Sequence, residues 1–442
     1  MKNIYKNKIH LEPPTGLLND PNGLCFFDDT YYIFHQWNRF KCDHSYKEWG
    51  LFTSNDLISW KHHGSAILPD TPKDSHGIYS GSAIVYKQKL RVFYTGNTRN
   101  ELGLRKSYQH IAESIDGNTY IKKNSFETPL GLTENNRDPF VFKHRNIWFM
   151  IMGSQTMNHN GVVTLYTSED LYEWDYKGIF FRSSELSQMC ECPNLIDFES
   201  TQILLACAQK RDNVLDTVIS SKSGYFVGKI LNNKFVSSTK FLALDYGFDF
   251  YAPQVLKAPD GRYLMWGWMS SMSSAEEQTC PTIKFGYLHC LTIPREVKFE
   301  NGQLIQRPVH ELLNSSVLLS RNTDSVFNFE QVDYALLLQV NFDSLNSSFT
   351  VNFDGGTAAL HYQNGQLTLQ RRNWSSNEIE SRYLFIEQIK SIEIYIDLSA
   401  VEIFINSGSK VLSMRYFPDH DIKKHEFLCN DSHIVTLIEI RQ

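Results

Sequence analysis

No run in this chain approaches the roughly 20 consecutive apolar residues that a membrane-spanning helix needs, so no membrane partner is expected. Charge of one sign is equally scarce. The 442 residues carry a formal net charge of −6 with an isoelectric point near 6.2, without the basic excess that nucleic acid would select. Cysteines number eight and none forms a CxxC pair. Cys190 and Cys192 are too close for a conventional bridge, and no histidine pair stands at ligand spacing near any cysteine. Free thiols in a reducing compartment, and no metal, are therefore expected. His62 and His63 read as a solvated turn. The opening segment MKNIYKNKIHLEPPTG is basic but lacks the apolar centre of a secretory signal, which makes a cytoplasmic protein the expectation.

What the chain does have is aromatic residues, 29 Phe, 22 Tyr and 8 Trp, placed largely in alternating strand-like runs. Five strand–turn–strand hairpins recur, starting at Gly23, Gly81, Asp138, Cys192 and Ala252. The starts differ by 58, 57, 54 and 60 residues, the signature of a repeated four-stranded unit and so of a five-bladed β-propeller. A second repeat agrees with the first. Thr53–Gly64 matches Thr167–Gly178 at six of twelve positions with an offset of 114 residues, two periods. These segments read as turns closing two blades, with Trp60 and Trp174 packed between neighbouring blades. Just before the hairpins stand Asn19-Asp20-Pro21, Tyr79-Ser80, Arg137-Asp138-Pro139, Glu191-Cys192-Pro193 and Asp249-Phe250-Tyr251. If each hairpin starts at the propeller axis, Asp20, Asp138, Glu191 and Asp249 converge on one pit, an arrangement suited to acid–base chemistry on a sugar.

The period fades after Trp268. The expected organisation is an all-β chain with the propeller over residues 1–306, a connector over 307–316 and a β-sandwich over 317–442. Alternating strands such as 334–340 and 401–405, separated by turns such as Asp354-Gly-Gly and Asn364-Gly365, support the sandwich. It carries no catalytic constellation, so it is expected to brace the propeller or to mediate self-association.

The segment from His10 to Gly23, with Leu-Leu-Asn19-Asp20-Pro21-Asn22-Gly23, resembles the N-terminal signature of glycoside hydrolase family 32, the invertases and fructanases. Arg137-Asp138-Pro139 and Glu191-Cys192-Pro193 resemble that family's second and third motifs. Tyr79-Ser80-Gly81-Ser82, Asp249–Gln254 and Pro294-Arg295-Glu296 agree further, in family order. The resemblance implies a retaining mechanism in which Asp20 is the nucleophile and Glu191 the acid/base. Asp138 would stabilise charge on the ring, with Arg137 keeping it ionised and oriented. Glu191 has to carry a proton near neutral pH for the first step. Asn19 and Gln36 would hydrogen-bond a fructosyl unit, Trp49 or Trp37 would form an apolar wall, and Tyr79, Ser80 and Asp249 would add further contacts. No cofactor is required.

The sequence departs from the family pattern at Leu18, Leu51 and Cys190, where Met, His and Trp are common. The Leu-Leu-Asn-Asp-Pro-Asn-Gly form is the one associated with bacterial members acting on sucrose 6-phosphate. Hydrolysis of sucrose 6-phosphate, with sucrose also accepted, is the expected reaction. Hydrolysis of free sucrose or short fructo-oligosaccharides, and a non-catalytic sugar-binding propeller, are the alternatives. A phosphate pocket would draw on Arg39, Lys41, His44 and Lys47 after the first hairpin, or Arg105 and Lys106 after the second; the sequence does not choose.

Overall fold

The computed structural model describes residues 2–212, 218–343 and 348–441. Among the described residues regular structure is almost wholly strand, and no helix is long and apolar enough to cross a membrane. Two-residue turns with both residues at positive φ set the register of several hairpins. Asp28 and Asp29 (φ 48° and 54°) join Phe27 to Thr30, Lys87 and Gln88 (51° and 56°) join Tyr86 to Lys89, and Asn232 and Asn233 (49° and 60°) join Leu231 to Lys234. Such turns match the right-handed twist of the strands they connect.

Five antiparallel sheets, here blades I to V, follow one another along the chain. Their first strands are Gly16–Phe27, Ile78–Tyr86, Leu132–His144, Met189–Asp197 and Tyr251–Lys257. These pack side by side in a closed ring, I on II, II on III, III on IV, IV on V and V on I, the geometry of a β-propeller. Tyr287–Leu288 adds a short parallel strand to the start of blade I, pairing with Gly16 and Leu17. Blade V ends with Gln303–Pro308, so its last strand reaches two residues into the expected connector, which retains the short 3-10 turn His310–Leu313.

Each first strand carries a β-bulge at the same height, where two residues oppose one. The bulged pairs are Asn19–Asp20, Tyr79–Ser80, Asp138–Pro139, Cys192–Pro193 and Ala252–Pro253. A bulge leaves a residue outside the ladder and re-aims its side chain, which is why proline is tolerated in three of the five. Asp138, Cys192 and Ala252 sit at φ 63°, 45° and 46°, a region that L residues enter at a cost. Polar side chains just beyond the bulges bind the blades together. Asn22 donates to the Asp20 carbonyl (3.0 Å) and accepts from the Gly81 N–H (3.1 Å); Asn194 donates to the carbonyls of Cys192 (3.1 Å) and Pro253 (3.2 Å).

Trp60 packs edge-on against Trp266 of blade V and Trp174 against Phe93 of blade II, so both repeated turns lock neighbouring blades. His62 departs from its expected place. It lies in the strand Lys61–Ile67, half-buried, with Nε2 3.1 Å from His35 Nε2 and its ring against Phe52 and Trp37. A strand face that covers a neighbouring aromatic explains the difference from a solvated turn. All eight cysteines are unbridged.

From Val317 the chain forms two six-stranded antiparallel sheets around an apolar core that includes Leu338, Val351, Leu360, Ile394, Ile403 and Phe427. The sandwich packs directly on the propeller: Leu18, Trp266 and Ile293 share one buried cluster with Leu337, Tyr395 and Phe404. A buried polar seam runs beside it. His10 contacts Asp397 through Nδ1 (2.9 Å) and Glu402 through Nε2 (3.0 Å), while Arg295 donates to Glu402 from Nε (2.8 Å). Burial opposes charge on His10, but its two carboxylate partners outweigh that and raise its pKa to about 9.

Candidate active site

The bulges bring Asp20, Asp138, Glu191 and their partners to one end of the ring. Asp20 Oδ2 accepts from Ser80 Oγ (2.5 Å) and, at longer range, Gln36 Nε2 (3.5 Å); Oδ1 accepts from Asn19 Nδ2 (3.1 Å). Gln36 is fixed in turn, accepting from Asn19 Nδ2 (2.8 Å) and donating to Ser80 Oγ (2.6 Å). The ammonium of Lys47 donates to Asn19 Oδ1. Burial lowers the pKa of Lys47 to about 8, against the pull of Asp20. Asp20 itself is shifted upward by burial and by Glu191, while Ser80, Asn19 and Lys47 hold it back.

Asp138, on the bulge of blade III, faces Cys192 on the bulge of blade IV. The Cys192 N–H donates to Asp138 Oδ2 (2.9 Å), and its thiol lies 3.6 Å from Asp138 Oδ2 and 3.9 Å from Asp20 Oδ2. One sulfur thus stands between two carboxylates. Burial raises the pKa of Asp138; Glu191 and Asp20 add to the rise, while Arg137 and the Cys192 N–H oppose it.

Glu191 stands just before the bulge of blade IV. Its Oε1 accepts from Arg137 Nε (3.0 Å) and Nη2 (2.8 Å), and its Oε2 accepts from the Tyr251 hydroxyl (2.7 Å). Gly153 makes room for this strand: a Cβ there would lie 2.2 Å from the Cys190 carbonyl oxygen. The expectation that Arg137 orients Asp138 is corrected here. Arg137 holds the regular position before the bulge, and its guanidinium hydrogen-bonds Glu191 and Asn135 Oδ1 (2.9 Å) rather than Asp138, while its charge still favours the ionised form of Asp138.

Three other expected contacts are placed elsewhere. Asp249 precedes the bulge of blade V by three residues and is buried against the sandwich, where its Oδ2 accepts from Arg371 Nη1 (2.5 Å) and the Arg415 N–H (2.8 Å). It joins the domains and is not an acceptor in the pit. Trp49 is fully buried between Phe34 and Tyr94, its Nε1 donating to the Tyr79 carbonyl (3.0 Å); it supports the pit from behind. Trp37 is likewise a blade-core residue, donating to the Thr15 carbonyl (2.7 Å). Tyr79 stays at the rim, half-buried, with Asn97 donating to its hydroxyl (3.3 Å). Sequence reasoning missed Tyr251, though its signal was present. It precedes Ala252-Pro253 as Glu191 precedes Cys192-Pro193 and Arg137 precedes Asp138-Pro139, so these three residues are structurally equivalent and meet.

His44, Glu277 and His289 place three ligand-type atoms within 4.8 Å of one another, the one such group among the described residues. Glu277 Oε1 is within hydrogen-bond distance of both imidazoles, at 3.1 and 3.0 Å.

Residues 10–308 match the N-terminal domain of glycosyl hydrolases family 32, and residues 320–441 match the C-terminal domain of the same family. The chain belongs to glycosyl hydrolase family 32. It is 35% identical over 438 residues to the sucrose-6-phosphate hydrolase of Bacillus subtilis (strain 168), covering 94% of this chain and 89% of that one. With the sucrose-6-phosphate hydrolase of Salmonella typhimurium it shares 36% identity over 424 residues, 92% and 88% of the two chains. Among solved structures, the sucrose-6-phosphate hydrolase of Lactobacillus gasseri superposes with a TM-score of 0.88 at 28% identity, covering all of this chain and 94% of the other. A family 32 member with this fold is a glycoside hydrolase with a propeller and an attached sandwich.

Proposed function

We propose that this glycoside hydrolase cleaves the β-fructofuranosidic bond of sucrose 6-phosphate, releasing fructose and glucose 6-phosphate with retention at the anomeric carbon. The carrying observation is the placement of Glu191, held by Arg137 and Tyr251, in the same pit as Asp20, whose carboxylate is fixed by Ser80 and Asn19. Relatives that match along nearly the whole chain are named sucrose-6-phosphate hydrolases, which supports the substrate.

In this reading a carboxylate oxygen of Asp20 attacks C2 of the fructosyl unit. Oδ1, with one hydrogen bond, is the freer of the two, since Oδ2 is approached by Ser80, Gln36 and Cys192. Glu191 gives a proton to the departing glycosidic oxygen and later takes one from the water that releases the covalent intermediate. Arg137 and Tyr251 keep its carboxyl in place through both steps. Asp138, its backbone strained and its oxygen anchored on the Cys192 N–H, is positioned by the fold before substrate arrives, as stabilisation of a developing positive ring requires. Asn19, Gln36, Ser80 and Tyr79 are proposed to bind the sugar hydroxyls.

The test is kcat/KM for sucrose 6-phosphate and for sucrose, measured side by side with Asp20→Asn and Glu191→Gln. Turnover should fall by orders of magnitude in both variants, and the phosphorylated sugar should be preferred at least tenfold. Near-normal rates in either variant would refute the assigned roles. Equal rates on the two sugars would leave an invertase or fructo-oligosaccharide hydrolase.

A further inference from the structure

Of the basic residues near the pit, most already have an anionic neighbour. Arg39 pairs with Glu48 (3.7 Å) and His44 with Glu277, while Lys106 bridges Glu127 (2.8 Å) and Glu134 (3.5 Å). Lys41 is exposed and acts on Asp43, and Lys47 is buried against Asn19. Arg105 differs. It is half-buried in blade II, and among the described residues no carboxylate lies within ion-pair distance of it. Its Nη1 donates to Asn135 Oδ1 (3.0 Å), the same oxygen that accepts from Arg137 Nη1 (2.9 Å), and its guanidinium lies 5.9 Å from the Tyr79 ring centre. Two guanidinium groups therefore converge on one neutral amide oxygen, and only Arg137 has a carboxylate, Glu191. Burial and then Arg137 press the pKa of Arg105 below its ordinary value, with Arg99 and Arg211 adding to the repulsion. A partly buried cation without a counter-charge is costly unless an anion arrives to complete it.

Resting on the substrate reading above, we propose that Arg105 is the specificity-determining residue that receives the phosphate of the leaving glucose 6-phosphate unit, with Asn135 fixing its guanidinium beside Arg137. The position follows from the chemistry. The departing glucose 6-phosphate unit takes its proton from Glu191 and so must border it, and Arg105 is reached from Glu191 through Arg137 and their shared Asn135. A planar guanidinium with free N–H groups matches a phosphate in two-point fashion, which an ammonium does not.

The experiment compares kcat/KM for sucrose 6-phosphate and sucrose in the full-length wild type, Arg105→Gln and Arg105→Lys. Glucose 6-phosphate, glucose and inorganic phosphate are tested in parallel as inhibitors of sucrose hydrolysis. In Arg105→Gln the ratio of the two kcat/KM values should fall at least tenfold and inhibition by glucose 6-phosphate should weaken by a similar factor. Inhibition by glucose should move little, and Arg105→Lys should recover part of the ratio. An unchanged ratio, or equal losses on both sugars, overturns the assignment, the latter marking Arg105 as structural. Wild-type protein with no preference for the phosphorylated sugar would sink the substrate reading instead. The anion site would then stand only if inorganic phosphate competes with sucrose in the wild type and loses that competition in Arg105→Gln; absence of competition overturns it.

Discussion

The phenol of Tyr251, on blade V, donates its hydrogen to Glu191 Oε2 at 2.7 Å, closing across the ring a site that Arg137 holds from the other side. Burial and the charge of Glu191 both push the Tyr251 pKa far up, so it remains a donor throughout the working pH range. A hydrogen bond to a charged partner contributes about 1.5–3 kcal/mol. Tyr251→Phe is therefore expected to lower kcat/KM roughly tenfold to a hundredfold while the thermal midpoint moves little. Steady-state kinetics beside a melting curve checks this, and a purely stability-linked loss would contradict it.

In the proposed mechanism Asp20, as the nucleophile, sets the acid edge of activity. Asp20 must be ionised to attack, and its pKa is raised by burial and Glu191 while Ser80 favours the ionised form. The acid limb of kcat/KM should accordingly lie above the ordinary aspartate value of about 3.9. Ser80→Ala removes a donor to the charged form, so the limb should move further up, not down. A pH–rate profile of both proteins decides the sign.

His10 makes the seam between the domains pH-dependent. Its folded pKa of about 9 exceeds the unfolded value near 6.5. Its contribution, on the order of 3 kcal/mol, is thus fully present below about pH 6.5 and is lost as pH rises through 9. Denaturant midpoints measured from pH 6 to pH 10 should fall over that window in the wild type and fall less in His10→Gln. The variant should also be less stable at pH 6, because Asp397 and Glu402 would keep their charge with one fewer partner.

Asp249 provides a separate check on the interface. Its ion pair with Arg371 is buried on both sides, and removing one partner of such a pair costs roughly 3–5 kcal/mol. Asp249→Asn should lower the melting temperature with KM for sucrose essentially unchanged. A large rise in KM at unaltered stability would return Asp249 to the pit.

Blade spacing and the acids Asp20, Asp138 and Glu191 were legible because a repeated hairpin must repeat its turns and its bulge, which admits proline in the strands of Asp138 and Glu191. Direction was not legible. Asp249 lies at the right place in the repeat to be taken for a pit residue, but being three residues ahead of Ala252 turns it toward the sandwich. Arg137 follows the same logic in reverse. Sequence adjacency tied it to Asp138, while the bulge that begins at Asp138 left the guanidinium hydrogen-bonded to Glu191. Trp49 looked like a sugar platform only because burial cannot be read from an isolated Trp-Gly pair. Which acids would gather was written in the motifs; which partner each would take depended on strand register.

Blade I is completed by the parallel pairing of Gly16 and Leu17 with Tyr287 and Leu288, and the pit needs side chains from Asp20 through to Tyr251. During synthesis Asp20, the proposed nucleophile, leaves the ribosome more than 200 residues ahead of Tyr251 and waits for blade V to follow. A fragment ending before blade V presents sheets with an open flank and lacks Tyr251, the hydrogen-bond donor to Glu191 Oε2, so no catalysis is expected of it. Appearance of sugar hydrolysis in a translation time course would consequently serve as a clock for ring closure, timed by the docking of the last blade on the first.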